Sequence, residues 1–213
     1  MNKTVGNEPD DVTEVLAEAQ RIGYLGPRPV EVQRRHAEGY VQAACRLGLG
    51  DEAKQTMIAD LGSGGGVPGL VVALGLPRSQ VVLIDASQKR CSFLTWAAVE
   101  LGISNRVSVV CGRAEQVAHD VQWRGKFDLV TARGFGPPAW TVECGSPLLS
   151  AGGSLLISEP PKARRWPPEG LARIGLCYIE QVGGIVVLSR FSDVAGDFPR
   201  PRSRQKRDPL FIQ

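Results

Sequence analysis

Met57-Ile58-Ala59-Asp60-Leu61-Gly62-Ser63-Gly64-Gly65-Gly66-Val67-Pro68-Gly69 is the stretch that decides the fold. A short apolar run closes on an acid and passes into a glycine-rich turn. Glycine lets the backbone run beneath a ligand with no side chain in the way, at positive φ where needed. Pro68 then suits the first turn of a helix, where its missing N–H costs nothing. Strand, glycine turn and helix form the opening unit of a sheet that takes its ligands at the strand ends.

The same texture continues outward. Residues 80–85 form a second apolar run ending in the acid Asp85. Residues 87–101 place Phe93, Leu94, Ala97, Ala98 and Leu101 on one helical face. Residues 106–110, 127–131 and 154–157 read as three more strands, with a helix over 137–149 and a turn at Gly152-Gly153. Residues 177–182 and 184–188 suit a closing hairpin. Strands alternating with helices predict an α/β, Rossmann-like, doubly wound and mostly parallel seven-stranded sheet. Upstream, residues 10–48 read as helical: Val12, Val15, Leu16 and Ala19 share a face, and Asp10 or Asp11 can cap it. Gly26, Pro27 and Pro29 break this region, and a second helix follows with Val32, Ala43, Ala44 and Leu47 as core candidates. The expected divisions are a helical extension over 1–50, the sheet domain over 51–192 and a basic tail over 193–213. The proline-rich stretch 160–170 reads as a loop over one face.

Composition narrows the class. The 213 residues carry a formal charge of +3, with 43% hydrophobic and 22% charged residues. These are globular proportions that exclude a wholly disordered chain, a collagen or a disulfide scaffold. Five widely spaced cysteines, two histidines and no CxxC leave no zinc spacing, so no metal is expected. Isolated cysteines of this kind are expected to be buried thiols in a reducing compartment. No apolar stretch reaches the roughly 18 residues of a membrane span. Residues 1–23 have no basic-then-apolar leader pattern. A cytoplasmic monomer without a membrane association is expected. The charge excess is local: Arg200, Arg202, Arg204, Lys206 and Arg207 are opposed only by Asp208. Such a tail suits phosphate, although a solvated, loose terminus is the simpler expectation.

The turn matches two ligand classes. Gly64-x-Gly66-x-x-Gly69 fits the dinucleotide fingerprint, and a lone match is weak. The register Asp60-x-Gly62-x-Gly64-x-Gly66 fits the turn of S-adenosylmethionine-dependent methyltransferases, whose strand-closing acid faces the charged amino-acid end of the cofactor. An acid is of little use beside a pyrophosphate. Asp85 does not discriminate, because an acid there holds a ribose diol in both classes. Gly112-Arg113-Ala114-Glu115 after the third strand and Phe127-Asp128-Leu129-Val130 in the fourth favour the methyltransferase. Taken singly, Asp85 is as well explained as a helix cap and Glu115 as a surface acid. The order and spacing of all four pieces carry the assignment.

Several blocks also resemble one family. They are Asp60 to Gly69 with its Pro-Gly ending, Asp85-Ala86-Ser87-Gln88-Lys89-Arg90 with Phe93-Leu94, Gly112-Arg113-Ala114-Glu115, Thr131-Ala132-Arg133, and Phe198-Pro199-Arg200 running to Pro209-Leu210. Together they resemble the small-subunit ribosomal RNA methyltransferase G family, also called glucose-inhibited division protein B. The resemblance implies methyl transfer from S-adenosyl-L-methionine to N7 of a guanine in 16S ribosomal RNA, on naked RNA or the small ribosomal subunit. It implies Gly62, Gly64 and Val67 at the methionine end, with Asp60 and Gly66 in the same turn. Asp85 would take the ribose, Ala114 and Glu115 the adenine, and Arg133 the junction with substrate. Lys89, Arg90, Arg113, Arg133, Lys162, Arg164, Arg165 and the tail are candidates for RNA, with Phe135, Trp140 and Trp166 as stacking surfaces. No catalytic base is implied, since N7 carries a lone pair and no proton.

The chain departs from that family in places. Its helical N-terminus is shorter, Arg35-His36 is the remnant of an Arg-His pair, Gly134-Phe135 follows the arginine where a small pair is usual, and Glu159-Pro160 stands where Lys-Gly is usual. These departures keep two alternatives open: a small-molecule methyltransferase, or a non-catalytic cofactor-binding relative.

Overall fold

A computed structural model describes residues 11–50, 55–160 and 165–212. Asp10, Lys162 and Arg164 lie outside them. Two helices, α1 (Asp11–Arg21) and α2 (Val30–Arg46), precede the sheet. Then come β1 (Thr56–Leu61), α3 (Gly69–Gly75), β2 (Ser79–Asp85), α4 (Gln88–Glu100), β3 (Val107–Cys111), α5 (Ala114–Val117), β4 (Phe127–Ala132) and α6 (Pro138–Gly145). A single 3-10 turn leads into β5 (Leu149–Ser158), followed by α7 (Pro168–Ala172), β6 (Leu176–Val182), β7 (Ile185–Arg190) and α8 (Arg202–Arg207).

The seven strands run in the order β3-β2-β1-β4-β5-β7-β6. The first five are parallel, and β7 is antiparallel to both of its neighbours. The apolar runs are continuous because both faces of the sheet are covered. Val81 and Leu83 point into one layer with α1, α2, α3 and α4. Val82 and Ile84 point into the other, with α5, α6, α7 and the C-terminal segment. Chain order reverses between β1 and β4, and an open sheet forms its ligand crevice at such a switch point.

Three expectations change at the level of elements, two around β5 and one at the C-terminus, and the burial of a few residues differs besides. The helix after Pro137 ends at Gly145, and β5 begins at Leu149 rather than at residue 154. Gly152-Gly153 is not a turn: the register shifts opposite Phe127–Leu129, and the strand runs on through a bulge. Gly152 sits at φ 75°, and a Cβ on Gly153 would come within 2.9 Å of the Phe127 carbonyl, so glycine is required at both. Val32 is 51% exposed on α2, whereas Val12, Val15, Leu16, Ala19, Ala43 and Ala44 are buried. Cys91 and Cys144 are buried as expected, but Cys45 and Cys111 are exposed.

The third change concerns the C-terminal segment, which is packed rather than loose. Leu210 and Phe211 join the core layer beside Trp166 and Leu171. A Cβ on Gly170 would lie 2.4 Å from Phe211 Cδ1, so that glycine makes room for the ring. The Arg124 guanidinium donates to the carbonyls of Ala118, Phe198, Val194 and Ala195, fixing residues 194–198 to the end of α5. Arg200 is buried in a pair with Glu143 of α6. The segment is basic in composition, yet it is held by cation–carbonyl and cation–carboxylate contacts that net charge does not reveal.

Candidate active site

The glycine turn is closed by its own amides. The N–H groups of Gly62 and Ser63 both donate to the Ile84 carbonyl, at 2.8 and 3.0 Å. Gly66 N–H donates to Ser63 O at 2.7 Å, and Gly64 N–H donates to Asp85 Oδ2 at 2.9 Å. Gly62, Gly64 and Gly66 take φ of 67°, 55° and 91°, which only glycine adopts without cost. A pyrophosphate needs free backbone donors. Here these four amides are committed and two carboxylates stand close by, which disfavours a dinucleotide.

Two connected hollows meet over Gly62. The first, of about 120 Å3, is lined by Gly62, Asp85, Ala86, Gly112, Arg113, Ala114 and Glu115. It is covered by Phe135, Trp140 and Arg202. The second, of about 340 Å3, has Gly62, Ser63, Gly64, Gly65 and Val67 as its floor. Residues 24–28, Gln33, Arg90, Arg133 and Gly134 form its sides. The predicted residues Gly62, Gly64, Val67, Asp85, Ala114, Glu115 and Arg133 are therefore brought together, four strands contributing their C-terminal ends. No histidine or cysteine lines either hollow among the described residues.

Asp60 and Gly66 lie behind the turn rather than on its wall. Asp60 is fully buried, and its Oδ1 accepts from the Thr131 hydroxyl at 2.6 Å. Oδ2 is packed against Gly69, where a Cβ would come within 2.6 Å of it. The carboxylate thus ties β1 to β4 beneath the site. Burial raises its pKa from 3.8 to about 6 despite the Thr131 bond. The folded state then binds this proton more tightly than the unfolded chain. Stability falls as pH rises from about 4 to about 6, and above that the ionised group carries a cost of roughly 3 kcal/mol. Asp60→Asn is expected to be more stable than the parent in urea at pH 7.5, with the gap closing near pH 4. An equal gap at both pH values would contradict this.

Asp85 accepts twice, from Gly64 N–H through Oδ2 and from Ser87 N–H through Oδ1, each at 2.9 Å. Arg90 approaches at 3.8 Å. The carboxylate serves both as a wall of the first hollow and as the latch of the turn beneath the second. Arg133 is aimed by α2: its Nη2 donates to Gln33 Oε1 at 2.8 Å. Gln33 Nε2 in turn donates to the carbonyls of Gly26 and Arg28, at 2.9 Å each. Burial depresses the Arg133 pKa, with Arg28 adding to that, yet an arginine stays charged at neutral pH. Tyr40 donates to the carbonyl of Ala132, immediately before Arg133, at 2.9 Å.

Sequence reasoning did not place the C-terminal segment at the site. A Cβ on Gly65 would lie 2.9 Å from Tyr24 O and 3.1 Å from Ala19 Cβ, so the first helical connection sits directly on the glycine turn. Tyr24 packs edge-on against Phe93, and Arg90 lies over its ring. Phe135 covers Gly62, where a Cβ would be 2.8 Å from its ring, and packs against Trp140. Lys89 is exposed, and Arg113 faces Glu115 at 3.4 Å. Trp166 is buried against Phe211 and offers no stacking surface. Glu159 is buried and paired with Arg165. Arg35 is exposed, while His36 is half-buried beside Tyr40, with burial, Arg133 and Arg28 all disfavouring its protonation.

Strand order and a two-part hollow at the switch point define the Rossmann-like fold of S-adenosylmethionine-dependent methyltransferases. A methyltransferase from Geobacter sulfurreducens has that fold at TM-score 0.60 and 18% identity, over 88% of this chain and 91% of its own. An RNA methyltransferase from Salinibacter ruber, solved with S-adenosyl-L-homocysteine, matches at TM-score 0.52 and 18% identity, over 80% of this chain and 96% of its own. The profile of rRNA small subunit methyltransferase G matches residues 30–163, and the chain belongs to that family. A Synechococcus elongatus relative named "Ribosomal RNA small subunit methyltransferase G" is 43% identical over 156 residues, or 73% of this chain. One of the same name from Caldicellulosiruptor bescii is 30% identical over 75% of this chain. The chain spans 60% of the length of the first relative and 73% of the second. No helix among the described residues is long and apolar enough to cross a membrane. Nor do the described residues contain a cluster of three or more His, Cys, Asp or Glu able to hold a metal ion.

Proposed function

We propose that the protein methylates N7 of a guanine in small-subunit ribosomal RNA, as a cytoplasmic monomer acting on the RNA or on the small ribosomal subunit. The observation that carries this reading is the meeting of Asp85, the glycine turn and a fixed Arg133 around one crevice. The residues fit S-adenosyl-L-methionine. Asp85 offers its carboxylate to a ribose diol, Ala114 and Glu115 border the adenine side, and Gly62 and Gly64 leave bare backbone, beside Val67, for the methionine end. When bound, that cofactor supplies an electrophilic methyl group. The protein's own part is to align the guanine and keep it in line, which is the orientation contribution to rate. Guanine N7 is unprotonated, so a site without histidine or cysteine is no obstacle. Arg133 holds the acceptor side through Gln33, and Arg28 and Arg90 offer charge to phosphates without reading sequence.

Glu159 favours a second reading, a small-molecule acceptor, because an acid stands where the family it resembles usually has a lysine, and its pairing with Arg165 occupies that cation too. Methyl-labelled S-adenosylmethionine, incubated with the protein and small subunits lacking their N7-methylguanine, separates the two. Label in the RNA is expected, falling at least about a hundredfold in Arg133→Ala with folding intact, since about 2.7 kcal/mol of orientation is lost. Absence of label with cofactor binding retained would move the assignment to a small-molecule acceptor.

A further inference from the structure

The C-terminal segment ends against the cofactor crevice, and nothing in the assignment so far gives it a task there. Arg202 of α8 lies over the Trp140 ring at 4.3 Å, and both residues line the first hollow together with Ala114, Glu115 and Asp85. Phe135 also packs against Trp140, tilted to it, their centroids 5.2 Å apart. The hollow is thus bounded by α5 and the β2 end on one side, and by a Phe135–Trp140–Arg202 cluster on the other.

The segment is also fastened to the element that carries Ala114 and Glu115. Arg124 and His119, both just past α5, bond the carbonyls of Ala118 and Phe198 and of Pro199 respectively, with His119 Nε2 at 2.8 Å from the latter. Arg200 is clamped to Glu143 of α6, the helix that bears Trp140. Three anchors therefore fix where Arg202 stands.

We propose that the C-terminal segment completes the cofactor site, with Arg202 as an adenine-side binding residue held in place by its stack on Trp140. This rests on the S-adenosylmethionine reading above. Adenine offers ring-nitrogen acceptors and an aromatic face, while Glu115 opposite offers an acceptor for its amino group. A guanidinium with one face on an indole keeps its edge donors free and its plane parallel to an adjacent ring, which a lysine ammonium does not. The tail is then a wall of the cofactor site, not only a basic arm for phosphates.

Calorimetric titration with S-adenosyl-L-homocysteine tests this in the full chain. Arg202→Ala is expected to raise Kd about tenfold and Arg202→Lys to recover little of that, because charge without the planar stack is insufficient. Arg207→Ala removes the same charge away from the hollow and is expected to leave Kd within about twofold. Binding unchanged in Arg202→Ala, or weakened equally in Arg207→Ala, overturns the proposal while the cofactor assignment stands. A parent protein that binds no S-adenosyl-L-homocysteine overturns both.

Discussion

Asp85→Ala is expected to reduce affinity for S-adenosyl-L-homocysteine by about a hundredfold or more, the largest loss of cofactor affinity expected of any single substitution in the crevice. Two losses combine. The carboxylate on the wall of the first hollow disappears, and with it, on the proposed cofactor reading, charge-assisted bonds to a ribose worth about 1.5–3 kcal/mol each. Its bonds to Gly64 N–H and Ser87 N–H also go, so the turn beneath the second hollow is no longer latched to the end of β2. Asp85→Asn retains one acceptor oxygen and is expected to fall between the two, at about a tenfold loss. Calorimetry on the two variants decides the matter, with circular dichroism to confirm folding. An Asp85→Ala protein that binds like the parent would show that the carboxylate only shapes the turn.

Four strands were legible because each is an apolar run with marked residues at or just past its end: Asp60, Asp85, Gly112-Arg113-Ala114-Glu115 and the Thr131-Ala132-Arg133 step. Period and punctuation are local properties, and they place Gly62, Asp85 and Arg133 at strand ends that the fold then gathers. Three things were not legible. Gly152-Gly153 carries the same letters whether it turns the chain or forms a bulge, and only the partner strand decides. Asp60 sits in the correct motif position, yet its burial behind the turn depends on Gly69 and Thr131, which the motif does not weigh. The C-terminal segment reads as a charged, soluble tail, since its anchors lie far away in sequence: Glu143, Arg124 and His119. Composition reports the cations but not the buried carboxylate and carbonyls that hold them. The same limit explains Phe135, which reads as a departure from a small-residue pair and becomes, in three dimensions, the cover of Gly62.

Glu143→Ala is expected to be the most destabilising substitution outside the sheet. Glu143 Oε1 accepts from both the backbone N–H and Nε of Arg200, and Oε2 accepts from Nη2, at 2.8 to 2.9 Å. The two side chains are 1% and 2% exposed, so water cannot take over these bonds. The carboxylate also makes the Arg200 guanidinium harder to deprotonate, chiefly through the side-chain bond. Removing it strands a buried charge, because Asp208 at 3.2 Å is 64% exposed and compensates only at the edge. Breaking one half of such a pair costs about 3–5 kcal/mol. For a chain of this size that lowers Tm by roughly 10 °C. The loss can be global, or it can be confined to the C-terminal segment coming away from α6 with Leu210 and Phe211, and trypsin distinguishes these outcomes. Early cleavage within residues 200–207, with the rest of the chain resistant, marks local release. That release should be accompanied by weaker S-adenosyl-L-homocysteine binding, since Arg202 leaves with the segment. Replacing both partners by apolar residues of similar size, as in Glu143→Leu with Arg200→Met, should recover part of the stability, because no charge is then left unpaired, although the residue-200 backbone N–H still lacks its acceptor. It should restore the cofactor affinity only so far as Arg202 returns to Trp140. A double variant as unstable as Glu143→Ala would place the cost in packing geometry rather than in the stranded charge.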